Sequence, residues 1–473
     1  MSQKTSISDW DSCITYFNQL SSRINWIDAF KTQYFHFNKR PRKDQLRFSF
    51  KAWPKLLISF VNIMTGQLQA KNFSFKPHQI LVLIDANPNY QQHLFPTINY
   101  LINQTQYEVV LMTQRHERNR ILNILQYNNI KVDKIHGYET LTDYSAPKSF
   151  SLLKHAFTAL YFVFLDIRAW LSTTLTSKWF LIPDFIYYSF VNHYYAKIYH
   201  QTIHNLAGIL TANDQWLWEN LVLHSAYNNG VKSLVIQHGT LSKLYYPIAA
   251  DQVAVWSETD KDFLMNKCGA SANEVSVKGS AYFDSLYHQF QQRRYSHLVE
   301  DTIVFFSSPF FKFNYLSDGD YEKVIESFDS LNTLAKKYGK QLLIKLHPWD
   351  ERKYYQKWAD QLSFTHASIH EVMDHACIAM AIKSTSILET AISGIPTFQF
   401  RPSNMPQFSD YSEEGITKTV EDKEALYYEV DRILSSKEAY REFINMAHRG
   451  LTRHFANLGM ANQSIVSSFS DQL

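Results

Sequence analysis

Cysteine is scarce in this chain of 473 residues: Cys13, Cys268 and Cys377 lie far apart and show no metal-ligand spacing. That excludes a disulfide framework and fits a reducing compartment. Neither sign of charge is in strong excess. A formal net charge of +3 is too small to mark a nucleic-acid binder, so no nucleic-acid partner is expected. Long apolar runs are missing as well. The best, "AFTALYFVFL" from Ala156 to Leu165, stops at Asp166 and Arg168, short of the roughly 20 residues a membrane span needs. The opening "MSQKTSISDWDSC" has no basic start followed by an apolar stretch, so no signal peptide is expected and a cytoplasmic location is. No repeat, low-complexity tract or convincing Asp-x-Asp pair occurs.

What is present is globular: 45% hydrophobic, 19% charged and 15% aromatic residues, over a length that predicts two or three domains. Lys39 to Lys55 carries seven basic residues and one acid among Phe48, Phe50 and Trp53, and runs on into "LLISFVNIM". The segment Lys39–Met64 reads either as a contact with a membrane surface or as a solvated basic face beside a packed helix.

Periodicity divides the chain. Residues 1–75 read as a helical N-terminal extension. From there, "QILVLI", "YEVVLMT" and "IKVDKI" alternate with helical stretches, which is the βαβαβ unit of a doubly wound sheet. An aromatic helical insertion occupies about 150–205. Alternation resumes with "LAGILTAND", "SLVIQHG", "QVAVWS" and "EVSVKGS", completing a first domain over 76–298. A second series, "TIVFFSSP", "QLLIKLHP", "ACIAMAIKSTS" and "IPTFQF", with a helical tail, forms a domain over 299–473. The expected fold is α/β, two Rossmann-like domains facing across a cleft.

Three stretches carry chemistry. In "IKSTSILETAISGIP" a strand delivers Ser384, Thr385 and Ser386 to the first turn of a helix that Gly394 and Pro396 end. Such a terminus favours phosphate, and Glu389, four residues after Thr385, can accept bonds from a ribose diol. The same residues also serve as plain N-caps with a solvated first-turn acid. In "LIKLHPWD" His347 ends a strand that Pro348 cannot continue, so an imidazolium there can neutralise a leaving phosphate, unless its role is structural. In "VIQHGTLSK" His238 follows a strand, Gly239 permits a sharp turn or a close approach, and Lys243 sits on the same loop. His238 is a candidate general base, or else a turn histidine bonded to backbone.

The ordered set "QHGT…LSK", "VWSE…VSVKGSAYFD", "IKLHP" and "STSILETAISGIP", over about 206–400, resembles bacterial GT-B glycosyltransferases of surface-polysaccharide synthesis (capsule and lipopolysaccharide). It is similar above all to the CDP-glycerol glycerophosphotransferases and to the CMP-sialic acid and Kdo transferases. The resemblance implies that His347, with Pro348, contacts donor phosphate, that Ser384, Thr385, Ser386 and Glu389 hold the nucleotide, and that His238 is the base. Gly239, Lys243, Asp214, Gly279 and Ser280 then fall on the acceptor side. It further implies a metal-independent transferase with no cofactor beyond a nucleotide-activated sugar. Its partners would be that donor, with CMP-activated acidic sugars favoured, and a glycan or lipid-linked acceptor. Transfer of a polyol phosphate from a CDP-alcohol is one alternative. A sugar-nucleotide epimerase is another, on a similar two-domain fold, and would present carboxylates for proton abstraction.

Overall fold

The computed structural model describes residues 75–473 apart from 86, 115–116, 133, 138–149, 172–181, 242–244, 294–295, 309–317, 349, 359–361, 383 and 402–409. The extension over 1–75 (save Phe75), the Lys39–Met64 segment and Lys243 lie outside the described residues.

Two parallel sheets organise the chain. In the first, β1 (Gln79–Leu83), β2 (Glu108–Thr113), β3 (Lys134–Gly137), β4 (Gly208–Thr211), β5 (Lys232–Ile236), β6 (Gln252–Val255) and β7 (Val275–Val277) run in the order β3-β2-β1-β4-β5-β6-β7. In the second, β8 (Thr302–Phe306), β9 (Gln341–Lys345), β10 (Ser363–Thr365), β11 (Ala376–Ala381), β12 (Thr397–Phe400) and β13 (Lys418–Val420) run β10-β9-β8-β11-β12-β13. The central strands are apolar because helices cover both of their faces. β1, β4, β8 and β11 are buried along their whole length. Each chain path steps outward over three strands and then returns beside the first, β4 next to β1 and β11 next to β8. That reversal defines a topological switch point in each sheet, where ligands of open α/β folds bind outside the strands' carboxyl ends.

Several boundaries differ from the periodicity reading. β3 begins at Lys134, four residues later than "IKVDKI", and the short strands β10 and β13 were not read from the sequence. Among the described residues, the insertion at 150–205 contains two helices, Phe150–Leu171 and Ile182–Thr202. They meet through Trp170, stacked on Phe185 at 4.2 Å, and the second helix buries Tyr194, Tyr195 and Tyr199, with Tyr195 edge-on to Trp218.

The chain divides into two units. One comprises Met1–Val255, Asp260–Val277 and Asn462–Leu473, and the other Trp256–Thr259 and Lys278–Ala461. Residues 278–298, read from sequence with the first domain, therefore fall in the second unit, where Phe283 packs between Trp256 and Phe455. The end of the tail falls in the first unit. Its Phe469 and Leu473 occupy the space beside Gly208, where an added Cβ would stand 2.6 and 2.7 Å from them, and Thr97 donates to Asn462 at 3.2 Å. Among the described residues no helix is long and apolar enough to cross a membrane.

Candidate functional site

At the switch point of the first unit, β1 delivers Asp85, and Asn87 then caps the helix Pro88–Gln104 by accepting from the Asn89 N–H at 3.0 Å. This cap and Pro88 fix the first turn, which projects Asn89 and Tyr90 toward the end of β5. Asn89 Nδ2 donates to the His238 carbonyl at 3.1 Å, and the His238 ring stands edge-on to Tyr90 with centroids 4.3 Å apart. On the other side, Tyr245 Oη lies 3.1 Å from His238 Nε2. Trp216 Nε1 donates to Tyr90 Oη at 3.3 Å, closing a cluster drawn from four segments.

Burial sets the protonation states here. It pushes His238 down to about 4, against the opposing pull of the Ala212 carbonyl, so the imidazole is neutral near pH 7. His93, wholly buried nearby, is pushed down by burial and by His238. Burial raises Asp85 to about 6, partly offset by the Asn87 N–H that its Oδ1 accepts at 2.6 Å, and Glu117 adds to the rise. Tyr90 is pushed up to about 12, chiefly by burial, with Asp85, Glu219 and Asp214 contributing.

Asp214, at the tip of β4, is buried and engaged: Oδ2 accepts from the Ala249 N–H at 2.9 Å and Oδ1 from Gln215 Nε2 at 2.7 Å. Its visible work is to hold the 249 segment. Gly239 has no left-handed backbone angle, although the chain does bend at Gly239 and Thr240. A Cβ there would lie 3.4 Å from Tyr245 Oη. Gly279 and Ser280 are a correction: they belong to the second unit. Gly279 has φ +83°, and its missing side chain admits the Ala456 carbonyl, while the nearby Asp284 accepts from the Gly459 and Ala461 N–H groups, each at 2.7 Å. These residues anchor the tail, and an acceptor-side role is dropped.

In the second unit the switch point lies between β8, followed by Ser307 and Ser308, and β11, leading to Ser384 and Thr385. His347 stands at the end of β9, its N–H donated to Ser307 Oγ at 2.9 Å. Pro348 is exposed beside it. Burial and the adjacent Lys345 ammonium lower the His347 pKa, against the pull of Asp350. That direction favours a neutral imidazole over the expected imidazolium. Burial lowers the neighbouring Lys345 ammonium as well, against the pull of Glu389, and its Nζ donates to the Leu346 carbonyl at 2.9 Å.

The helix Ser386–Ile392 is only seven residues long, so its dipole is weaker than the sequence reading assumed. Ser384 Oγ accepts from the Ser386 N–H at 3.2 Å, while Thr385 makes no cap bond with its side chain. Ser386 Oγ is buried and has no hydrogen-bond partner among the described residues. Glu389 is no solvated acid. It is 5% exposed, accepts from Tyr282 Oη at 3.1 Å, and is raised to about 7 by burial against the pull of Tyr282, Lys345 and Thr385. Among the described residues no three His, Cys, Asp or Glu side chains are grouped to hold a metal ion.

Sequence reading singled out His238, His347 and the hydroxyl run, and missed Asp85, Tyr90, Tyr245, Lys345 and Tyr282. Asp85 had a usable signal, a carboxylate closing the first buried strand. The three tyrosines were hidden among the chain's 29.

Compared with protein-family models and with curated proteins, the sequence matches none. Solved structures do match. The UDP-GlcNAc 2-epimerase of Neisseria meningitidis bound to UDP-GlcNAc is similar with a TM-score of 0.52 and 14% identity, over 83% of this chain and 100% of that one. A Listeria monocytogenes protein provisionally described as a UDP-N-acetylglucosamine 2-epimerase gives 0.52 and 13%, over 85% and 96%. The UDP-GlcNAc 2-epimerase of Methanocaldococcus jannaschii gives 0.51 and 11%, over 83% and 99%. The chain therefore has a GT-B-like fold of two parallel-sheet α/β domains, as the motif order implied.

Proposed function

We propose that this chain is a nucleotide-sugar enzyme that epimerises a UDP-activated sugar. The observation that carries the proposal is the division of labour between the two switch points. One gathers phosphate and ribose partners, and the other gathers acid–base groups. In the second unit, Lys345 meets the diphosphate, Ser384, Thr385 and the unpartnered Ser386 hydroxyl donate to its oxygens, and neutral His347 adds an N–H. Glu389 accepts from the ribose diol in place of Tyr282. In the first unit, Asp85, poised at about 6, can take the C2 proton as the C1–O bond to UDP breaks and the C–H electron pair forms a C1=C2 bond. A proton returned to the other face of C2, with Tyr90 and the His238–Tyr245 pair beside it, and re-addition of UDP at C1 complete the inversion. Inverting a carbon centre needs such a pair of groups. Support for epimerisation over transfer comes from the likeness in fold to the three structures above, one of them bound to UDP-GlcNAc.

Transfer of the sugar to a glycan or lipid-linked acceptor is the second reading. One observation favours it: both oxygens of Asp214 are engaged, so only one of the two strand-tip carboxylates is available, and neutral His238 is suited to deprotonate an acceptor hydroxyl. Cytidine-activated acidic sugars and CDP-alcohols are its variants. Incubation with UDP-GlcNAc and, separately, with a CMP-activated sugar separates the readings. The C2 epimer forming without acceptor supports epimerisation. Nucleotide release that needs an added glycan acceptor supports transfer.

A further inference from the structure

The helix Phe150–Leu171 turns a narrow face inward. Ala159, Val163, Asp166 and Trp170, at helical spacing, are buried, and Asp166 is tied to Ser189 at 2.7 Å and to His193 at 2.8 Å. The rest of its middle is exposed and apolar: Phe157 (68% exposed), Tyr161 (61%) and Phe164 (63%), with Leu160 and Leu165 between them. Positions 157, 161 and 164 share one side of the helix, with 160 and 165 flanking them. An exposed aromatic stripe of this size marks a surface that some partner covers.

We infer that this stripe docks on an anionic lipid surface, the helix lying in the interface plane. Charge complementarity selects the occupant. The helix carries Lys154 and Arg168, and its one acid, Asp166, is buried and bonded. Arg168 is exposed at the end of the stripe. A second copy of the helix would bring no carboxylate to meet these cations, whereas lipid phosphates do. The ten-residue apolar run is too short to span but suits insertion of an aromatic face to the level of the headgroups. The inference is independent of the reaction catalysed.

The test is flotation of the full chain with phosphatidylcholine vesicles and with mixed phosphatidylcholine–phosphatidylglycerol vesicles. Wild type is expected to float with the mixed vesicles, and less so at high salt. Phe157→Ser/Tyr161→Ser/Phe164→Ser should cut partitioning at least about tenfold, and Arg168→Glu should weaken binding to the mixed vesicles alone. Hydrogen exchange on the wild type, which requires no variant to fold, should show vesicle-dependent protection over 157–165. Absence of flotation, undiminished flotation of the triple variant, protection elsewhere only, or a dimer that the triple variant abolishes would each overturn the inference.

Discussion

The Tyr282 hydroxyl donates to Glu389 Oε2 at 3.1 Å, in a place where Glu389 is almost wholly out of water. Burial lifts the folded pKa to about 7, above the ordinary 4.5. The folded chain therefore holds a proton that the unfolded chain has lost across that window, and stability falls as pH rises from about 4.5 through 7. A shift of this size corresponds to roughly 3 kcal/mol. Glu389→Gln, which still accepts from Tyr282, should flatten this slope. Urea denaturation at pH 5 and pH 8 should show the variant gaining on wild type at the higher pH, and parallel curves would refute the assignment. The same substitution should weaken binding of UDP.

His238 has the opposite sign. Its folded pKa, about 4, lies below the ordinary 6.5, so its contribution is full above 6.5 and is lost as pH falls toward 4. His238→Asn should lower turnover by about 10²–10⁴-fold while changing UDP affinity little. Equal loss of both would place the residue in binding instead of proton transfer.

Lys345, and not His347, is expected to carry the charge opposite a bound diphosphate. Lys345→Met should weaken UDP binding by roughly tenfold more than His347→Gln does. Calorimetry on both variants checks this, and the reverse order would restore the imidazolium.

The two glycines near the candidate residues should part company. At Gly279 a Cβ would meet the Ala456 carbonyl at a left-handed φ, so Gly279→Ala should destabilise by roughly 2 kcal/mol or more. Gly239→Ala needs only a small adjustment of Tyr245 and should fold normally. Chemical denaturation of both variants gives the comparison.

The parallel sheets were legible because central strands buried on two faces are written as unbroken apolar runs, as in "QILVLI" and "ACIAMA". The tips of those strands gave His238 and His347 for the same reason. What periodicity does not carry is distance. Tyr90 and Tyr245 reach His238 from a helix start and from a loop seven residues on, and Tyr282 reaches Glu389 from 107 residues away. Environment was hidden as well. His347 reads as an imidazolium from its place at a strand end, whereas burial and the Lys345 ammonium both lower its pKa. Gly279 looked like a ligand glycine and proved to be a seat for Ala456.

The most direct measurement is proton exchange in deuterated water: UDP-GlcNAc incubated with wild type and with Asp85→Asn, and followed by NMR at the sugar C2 position. Deuterium entering C2 with wild type, accompanied by the C2 epimer and slowed at least a hundredfold in the variant (about 10²–10⁴ is typical for removing an acid–base group), is the result predicted. A C2 proton that never exchanges while UDP-GlcNAc binds would contradict epimerisation and leave transfer as the function of this fold.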